Sequence, residues 1–155
     1  MKTLTGHILI DGHNVIHAWP ELKRQLDTDR MVALDRLVAL VRIIYDFDDK
    51  VLTIVFDGNG EKTKVENPEG NPYFSIVYAA KSVTADGVIE HMLQATASSS
   101  DWIVVTADMA LSQTAYTYGA DIMSPDALGD WIGRLETSQR RVIEAQNRAN
   151  DTEWK

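Results

Sequence analysis

The chain has 155 residues, no cysteine, a net charge of -8, and 45% hydrophobic against 25% charged residues. That is the balance of one ordinary globular domain with room for a real core, and it excludes disulfides and thiolate metal sites. The negative charge argues against indiscriminate nucleic-acid binding, which needs a basic face, while it suits a site that gathers divalent cations.

No secretory signal pattern precedes the first strand. The longest apolar helical segment, around 38–44, is interrupted by Arg42 and is far too short to span a bilayer. With no cysteine, a reducing, cytoplasmic setting is the expectation. Residues 7–10 read as a buried strand, because Ile8, Leu9 and Ile10 are too few and too β-branched for a helix. That run ends abruptly in Asp11-Gly12-His13-Asn14. A short helical piece is expected near 19–23. A clear amphipathic helix follows, with Thr28 as its N-cap and Met31, Leu34, Leu37, Val38, Val41, Ile44 and Tyr45 on one face. Residues 46–50 read as a charged loop.

The second strand, 51–56, runs into Asp57-Gly58, and 61–72, rich in Gly, Pro and Asn with two lysines, reads as a loop. The third strand is about 73–78. Thr84 caps a helix running to about 96, and Ser98-Ser99-Ser100 is a connector. The fourth strand, 102–105, ends at Thr106-Ala107-Asp108. A helix over 110–118 closes at Gly119, and a short fifth strand covers 121–123. Ser124-Pro125 then opens a last helix to about 149, with Leu128, Trp131, Ile132 and Leu135 inward. There is no internal repeat and no linker, so one domain over 1–155 is expected. Strands apolar on both faces and separated by helices make an α/β, three-layer, Rossmann-like fold with a parallel sheet of roughly five strands. Its ligand site lies at the carboxyl ends of the strands.

Asp11, Asp57 and Asp108 each follow a strand, and Asp86 falls in the first turn of the helix after the third. All four therefore face one edge of the sheet, with Glu90 one turn beyond Asp86. Singly, each has an ordinary explanation as a turn residue, a helix-dipole partner or a cap. Jointly they repel unless something neutralises them. A hard divalent cation with oxygen ligands does so, and Mg²⁺ or Mn²⁺ held this way activates water. Other chemistries lack their residues: there is no cysteine nucleophile, Gly-x-Ser-x-Gly elbow, phosphate loop or dinucleotide fingerprint. His7, His13, His17 and His91 lack zinc-site spacing. His13 is a candidate substrate contact set against an ordinary half-exposed loop residue. Trp19 is the candidate site aromatic, and Trp102 and Trp131 read as core.

Taken in order, four motifs carry a resemblance. They are Leu9-Ile10-Asp11-Gly12-His13-Asn14-Val15-Ile16, Ile54-Val55-Phe56-Asp57-Gly58, Thr84-Ala85-Asp86 with Ile89-Glu90, and Thr106-Ala107-Asp108. From about His7 to Gly119 the chain resembles the NYN-domain proteins of the PIN-like nuclease superfamily, and most closely their YacP-like branch. The resemblance implies a PIN-like fold and metal-dependent endonucleolytic cleavage of RNA. It implies Asp11, Asp86 and Asp108 as ligands of Mg²⁺ or Mn²⁺. Asn14 and Asp57 join them in the catalytic set, and Glu90 and Thr106 are supporting residues. Gly87 stands where YacP-like proteins tend to carry a second acid, Ala107 replaces a frequent serine, and the segment after Gly119 lacks basic residues common in the family.

Contacts to the RNA backbone are expected from Lys62, Lys64 and Lys81, with His13 beside them. Arg134, Arg140, Arg141 and Arg148 read either as further contacts or as a solvated face with Glu136 and Glu144. The net charge makes weak, salt-sensitive action on free single-stranded RNA the expectation, with a partner such as a ribonucleoprotein assembly presenting the strand. Two other readings stay open: a non-catalytic RNA-binding or scaffold protein of the same fold, and a receiver-like phospho-acceptor domain. The latter needs an aspartate ending the third strand and a lysine after the fifth, where this chain has Tyr78-Ala79-Ala80 and no lysine.

Overall fold

The structure is a computed structural model that describes residues 5–96 and 101–153; the serine connector at 98–100 lies outside the described residues. Five strands run parallel: β1 (His7–Asp11), β2 (Val51–Asp57), β4 (Phe74–Ala79), β5 (Trp102–Val105) and β6 (Asp121–Met123). A sixth, β3 (Lys64–Glu66), pairs antiparallel with β4 at the edge, giving the order β3-β4-β2-β1-β5-β6. The helices are α1 (Gly12–Ala18), α2 (Pro20–Thr28), α3 (Arg30–Asp48), α4 (Thr84–Ala95), α5 (Met109–Thr117) and α6 (Pro125–Glu153).

Alternation along β1 builds the three layers. Ile8 and Ile10 enter one core with Val15, Leu34, Leu37, Val41 and Leu128, under α1, α2, α3 and α6. Leu9 enters the other with Ile89, Leu93, Leu111 and Ala115, under α4 and α5. Successive strand residues face opposite sides, so a continuously apolar strand is what two covered faces require. No helix among the described residues is long and apolar enough to cross a membrane.

Several local expectations need correction. The Asp-Gly-His-Asn run is not a loop ahead of a helical piece at 19–23. It opens α1 directly, and Pro20 then starts α2 at its first position, where a missing N–H costs nothing. The cap of α3 is Asp29, whose Oδ1 accepts from the Met31 and Val32 amides, while Thr28 closes α2. The charged residues at 46–48 form the last turn of α3, which stops at Asp49 in the left-handed region (φ 51°). The stretch at 61–72 is not all loop, since it contains β3 and a 3₁₀ turn at Pro68–Gly70. The Asn67 amide fastens that connection to the Asn71 and Phe74 carbonyls and the Ser75 hydroxyl. Gly119 does end α5, with φ 86° and the Ala120 amide bonded back to the Ala115 carbonyl. The last helix runs on to Glu153.

Trp19 is not a site aromatic. Its indole N–H donates to the Pro125 carbonyl at 3.0 Å, and that of Trp131 to Asp48 Oδ2 at 2.7 Å. Both half-buried rings fasten α6 onto the helical layer.

Gly12 is demanded by close approach. A Cβ there would lie 2.3 Å and 2.4 Å from the Cε1 and Cδ1 atoms of Phe56 and 3.0 Å from the Val55 carbonyl. Phe56 is fully buried and packed against Tyr78 and His13, so it has nowhere to move. Gly12→Ala is therefore expected to cost about 1–3 kcal/mol by overpacking. Urea unfolding checks this: the midpoint should fall, and an unchanged midpoint would mean that the ring yields freely.

Candidate active site

The strand order reverses at β1, with β2 on one side and β5 on the other, so the crevice beyond their carboxyl ends is the expected ligand position. Asp11 sits at that point, 6% exposed. Its Oδ2 accepts from the Thr106 hydroxyl at 3.0 Å, and the Asn14 backbone N–H also donates to the carboxylate. Burial pushes the Asp11 carboxyl up to about 6; the Thr106 and Asn14 bonds oppose this, and the charges of Asp86 and Asp57 add to it. The neighbouring acids thus reinforce a desolvation cost that two hydrogen bonds only partly offset.

Thr106 joins two acids. Its hydroxyl oxygen donates to Asp11 and accepts the Asp108 N–H at 3.0 Å. Asp108 in turn caps α5, with Oδ1 accepting the Leu111 amide at 2.9 Å. A carboxylate has two oxygens, so a capping role is compatible with a second partner. The Asn14 side chain crosses from α1 to the β5 end, where Oδ1 accepts the Ala107 amide at 2.7 Å.

On the other side, Asp57 acts at long range as a cap for α4. Its Oδ1 accepts the Ala85 amide at 2.8 Å. Thr84, at φ 71°, sits in a conformation unusual for a β-branched residue, and its hydroxyl accepts the Gly87 amide at 3.4 Å. Burial raises the Asp86 carboxyl, and the charges of Asp108 and Asp57 raise it further. Electrostatically, then, Asp11, Asp57, Asp86 and Asp108 form one neighbourhood.

A model of the YacP-like NYN domain matches residues 8–155. This chain belongs to the YacP-like NYN domain family. The uncharacterized protein YacP of Bacillus subtilis (strain 168) is 28% identical over 136 residues, which span 87% of this chain and 78% of that protein. The crystal structure of Rae1 (YacP) from Bacillus subtilis matches with a TM-score of 0.74 at 24% identity, covering 94% of this chain and 84% of that one. A point-mutant form of the same protein gives 0.73 at 25% identity, over 92% and 84%. Membership of the YacP-like NYN family supports a nuclease or RNA-related role.

Within this NYN domain the remaining expected residues fall in different places. His13 lies on α1, half-buried, with its ring edge-on to Phe56 and its Nδ1 accepting the Asp57 amide at 3.3 Å. Burial and the Arg30 charge lower its pKa. Glu90 is engaged one turn on by the Gln94 amide, which also reaches the Tyr118 hydroxyl. Lys62 and Lys64 line a groove beside the acids, whereas Lys81 is exposed and gives its backbone N–H to the Gly60 carbonyl. Arg30 is the residue that sequence reasoning missed: its Nη2 donates to the Asp57 carbonyl. No sequence signal marks it, because its partner is a backbone oxygen across the fold.

Proposed function

We propose that this chain is a Mg²⁺- or Mn²⁺-dependent endoribonuclease that hydrolyses single-stranded RNA. The observation that carries the reading is Asp11, a buried carboxylate at the switch point of the sheet, raised to about 6 with other acids around it. Such a group is ionised near neutral pH only at a desolvation cost, which a bound cation would offset. The donor chemistry fits, since hard divalent ions take carboxylate oxygens. Among the described residues no three acidic or histidine side chains stand close enough to hold an ion unaided. An Mg²⁺ ion that keeps several waters and takes one or two carboxylates directly is compatible with that spacing. Asp11, Asp86 and Asp108 are the residues that would hold it. When bound, such an ion polarises a phosphate oxygen and lowers the pKa of a water.

The chain's own residues arrange the rest. Thr106 fixes Asp11 against Asp108, and Asn14 holds the β5 end on α1. Asp57 and Arg30 brace the start of α4 and the end of β2. His13 does not serve as the base in this scheme, because its Nδ1 lone pair is taken by the Asp57 amide, and burial and the Arg30 charge make the ring a weaker base. The charge of -8 disfavours tight binding to free RNA and so favours a ribonucleoprotein partner that presents the strand.

The test is cleavage of an end-labelled single-stranded RNA at high enzyme concentration, with Mg²⁺, with Mn²⁺ and with EDTA. Cleavage should require metal. Asp86→Asn should lose several kcal/mol of transition-state stabilisation, on the order of a hundredfold or more in rate. Undiminished cleavage in EDTA would overturn the reading. One observation favours a second reading, a non-catalytic RNA-binding protein: the acids are not gathered into a closed ligand set. Metal-independent RNA binding without cleavage in any metal would select it. The phospho-acceptor reading gains no support, since β4 ends at Ala79 and Ser124 follows β6.

A further inference from the structure

On the β3 side of the acids, a groove of about 330 Å³ opens between the start of α3 and the turn after β2. Arg30, Lys62 and Lys64 line it, together with Met31, Tyr78 and Glu66. Three cations against one acid reverse the sign of a chain whose net charge is -8. Lys64 and Glu66 share a face of β3 because they are two apart on a strand. Arg30 is fixed by its bond to the Asp57 carbonyl, its Nε is buried without a partner, and among the described residues it forms no ion pair. Its charge is therefore held in place yet unneutralised, as an anion site requires.

The walls are not only basic. Met31 is 51% exposed, and the Tyr78 ring stacks on Phe56 at 28° and 5.9 Å, which fixes its plane. Burial and the Glu66 charge raise the Tyr78 pKa, so its hydroxyl remains a donor. Gly58 and Ala79 form the rim, and the Gly58 amide bonds the Ala79 carbonyl at the strand ends. The groove thus begins one residue after Asp57, at Gly58. The volume lies within the range of about 300–1,000 Å³ that small ligands occupy.

We propose that this groove holds one nucleotide of the RNA strand next to the cleaved bond, with its phosphate on Arg30, Lys62 and Lys64 and its sugar or base against Met31 and Tyr78. This rests on the nuclease reading for its substrate class. The experiment is equilibrium binding of a labelled short single-stranded RNA to the full chain in EDTA, so that nothing is cut, across a salt series. Lys62→Ala with Lys64→Ala should flatten the slope of log K against log salt by about 1.4, and adding Arg30→Gln by about 0.7 more, alike for all sequences. Glu66→Gln should tighten binding. Lys62, Lys64 and Glu66 are exposed, so these variants leave the fold alone. Arg140→Ala with Arg141→Ala, on α6, should leave the slope as it is.

Unmoved slopes in the groove variants, an equal change from the α6 pair, or no tightening from Glu66→Gln would overturn the proposal. The two readings fail separately. Groove effects without cleavage in any metal sink the nuclease and keep the groove. Metal-dependent cleavage with unmoved slopes does the reverse.

Discussion

Asp11→Asn should reduce RNA cleavage by about a thousandfold or more and, in EDTA at pH 8, raise the melting temperature. An amide keeps the shape of the carboxyl and an oxygen to accept the Thr106 hydroxyl, but it removes the charge. The loss of activity follows from the position of that charge, buried at the switch point with Asp86 and Asp57 acting on it. On the proposed reading, the ion that would neutralise this cluster would lose its most desolvated ligand, and several kcal/mol of transition-state stabilisation would go with it. The gain in stability follows from the same burial. Displacing a carboxyl from about 3.8 to about 6 means that its ionised form costs the metal-free fold about 3 kcal/mol at pH 8. At roughly 2–4 °C per kcal/mol for a chain of this size, a rise of several degrees is the expected reading. Adding Mg²⁺ should narrow the gap, because it stabilises the natural protein alone. A variant that cleaves at the natural rate, or one that melts lower in EDTA at pH 8, would break the link between burial, charge and catalysis.

The acids were legible because strand ends are legible. Ile8 to Ile10, Ile54 to Phe56 and Trp102 to Val105 are apolar on both faces, and in a parallel sheet their ends fall on one edge. What the sequence hid is what distant residues do for one another. Local rules hand the start of α4 to Thr84, yet its Ala85 amide is capped by Asp57 from 28 residues away. β3 could not be read because all three of its residues are exposed and only pairing to β4 makes them a strand. α1 was hidden by Gly12, His13 and Asn14, which are poor helix formers. Packing of Val15 and Ile16 into the core outweighs that preference. The resemblance of the motifs located the acids. Only the packing shows which hydrogen bonds each acid has already spent.

Between about pH 4 and 6.5 the metal-free protein should change little in stability through two strongly shifted groups at opposite ends of β1, because they pull in opposite directions. His7 stacks on Trp102 with ring centroids 3.9 Å apart and shares a 2.8 Å hydrogen bond with Thr53 Oγ1. Burial pulls its pKa from 6.5 down to about 4. The fold therefore favours the neutral ring. That contribution, about 3 kcal/mol, is full above pH 6.5 and is lost as the pH falls through about 4. Asp11 runs the other way. Its folded pKa of about 6 lies above the unfolded 3.8, so its contribution of similar size is full below pH 3.8 and is lost as the pH rises through about 6. Each limb has a lesser companion of the same sign, His13 lowered by burial and Asp86 raised by burial. Asp11→Asn should unmask the histidine limb, so that the variant loses about 3 kcal/mol between pH 6.5 and 4. His7→Phe, which keeps a ring against Trp102, should unmask the carboxylate limb and make the protein less stable as the pH rises from 4 to 7. Urea unfolding in EDTA at several pH values separates them. If both variants keep the pH profile of the natural chain, the burial of neither group carries the free energy assigned to it.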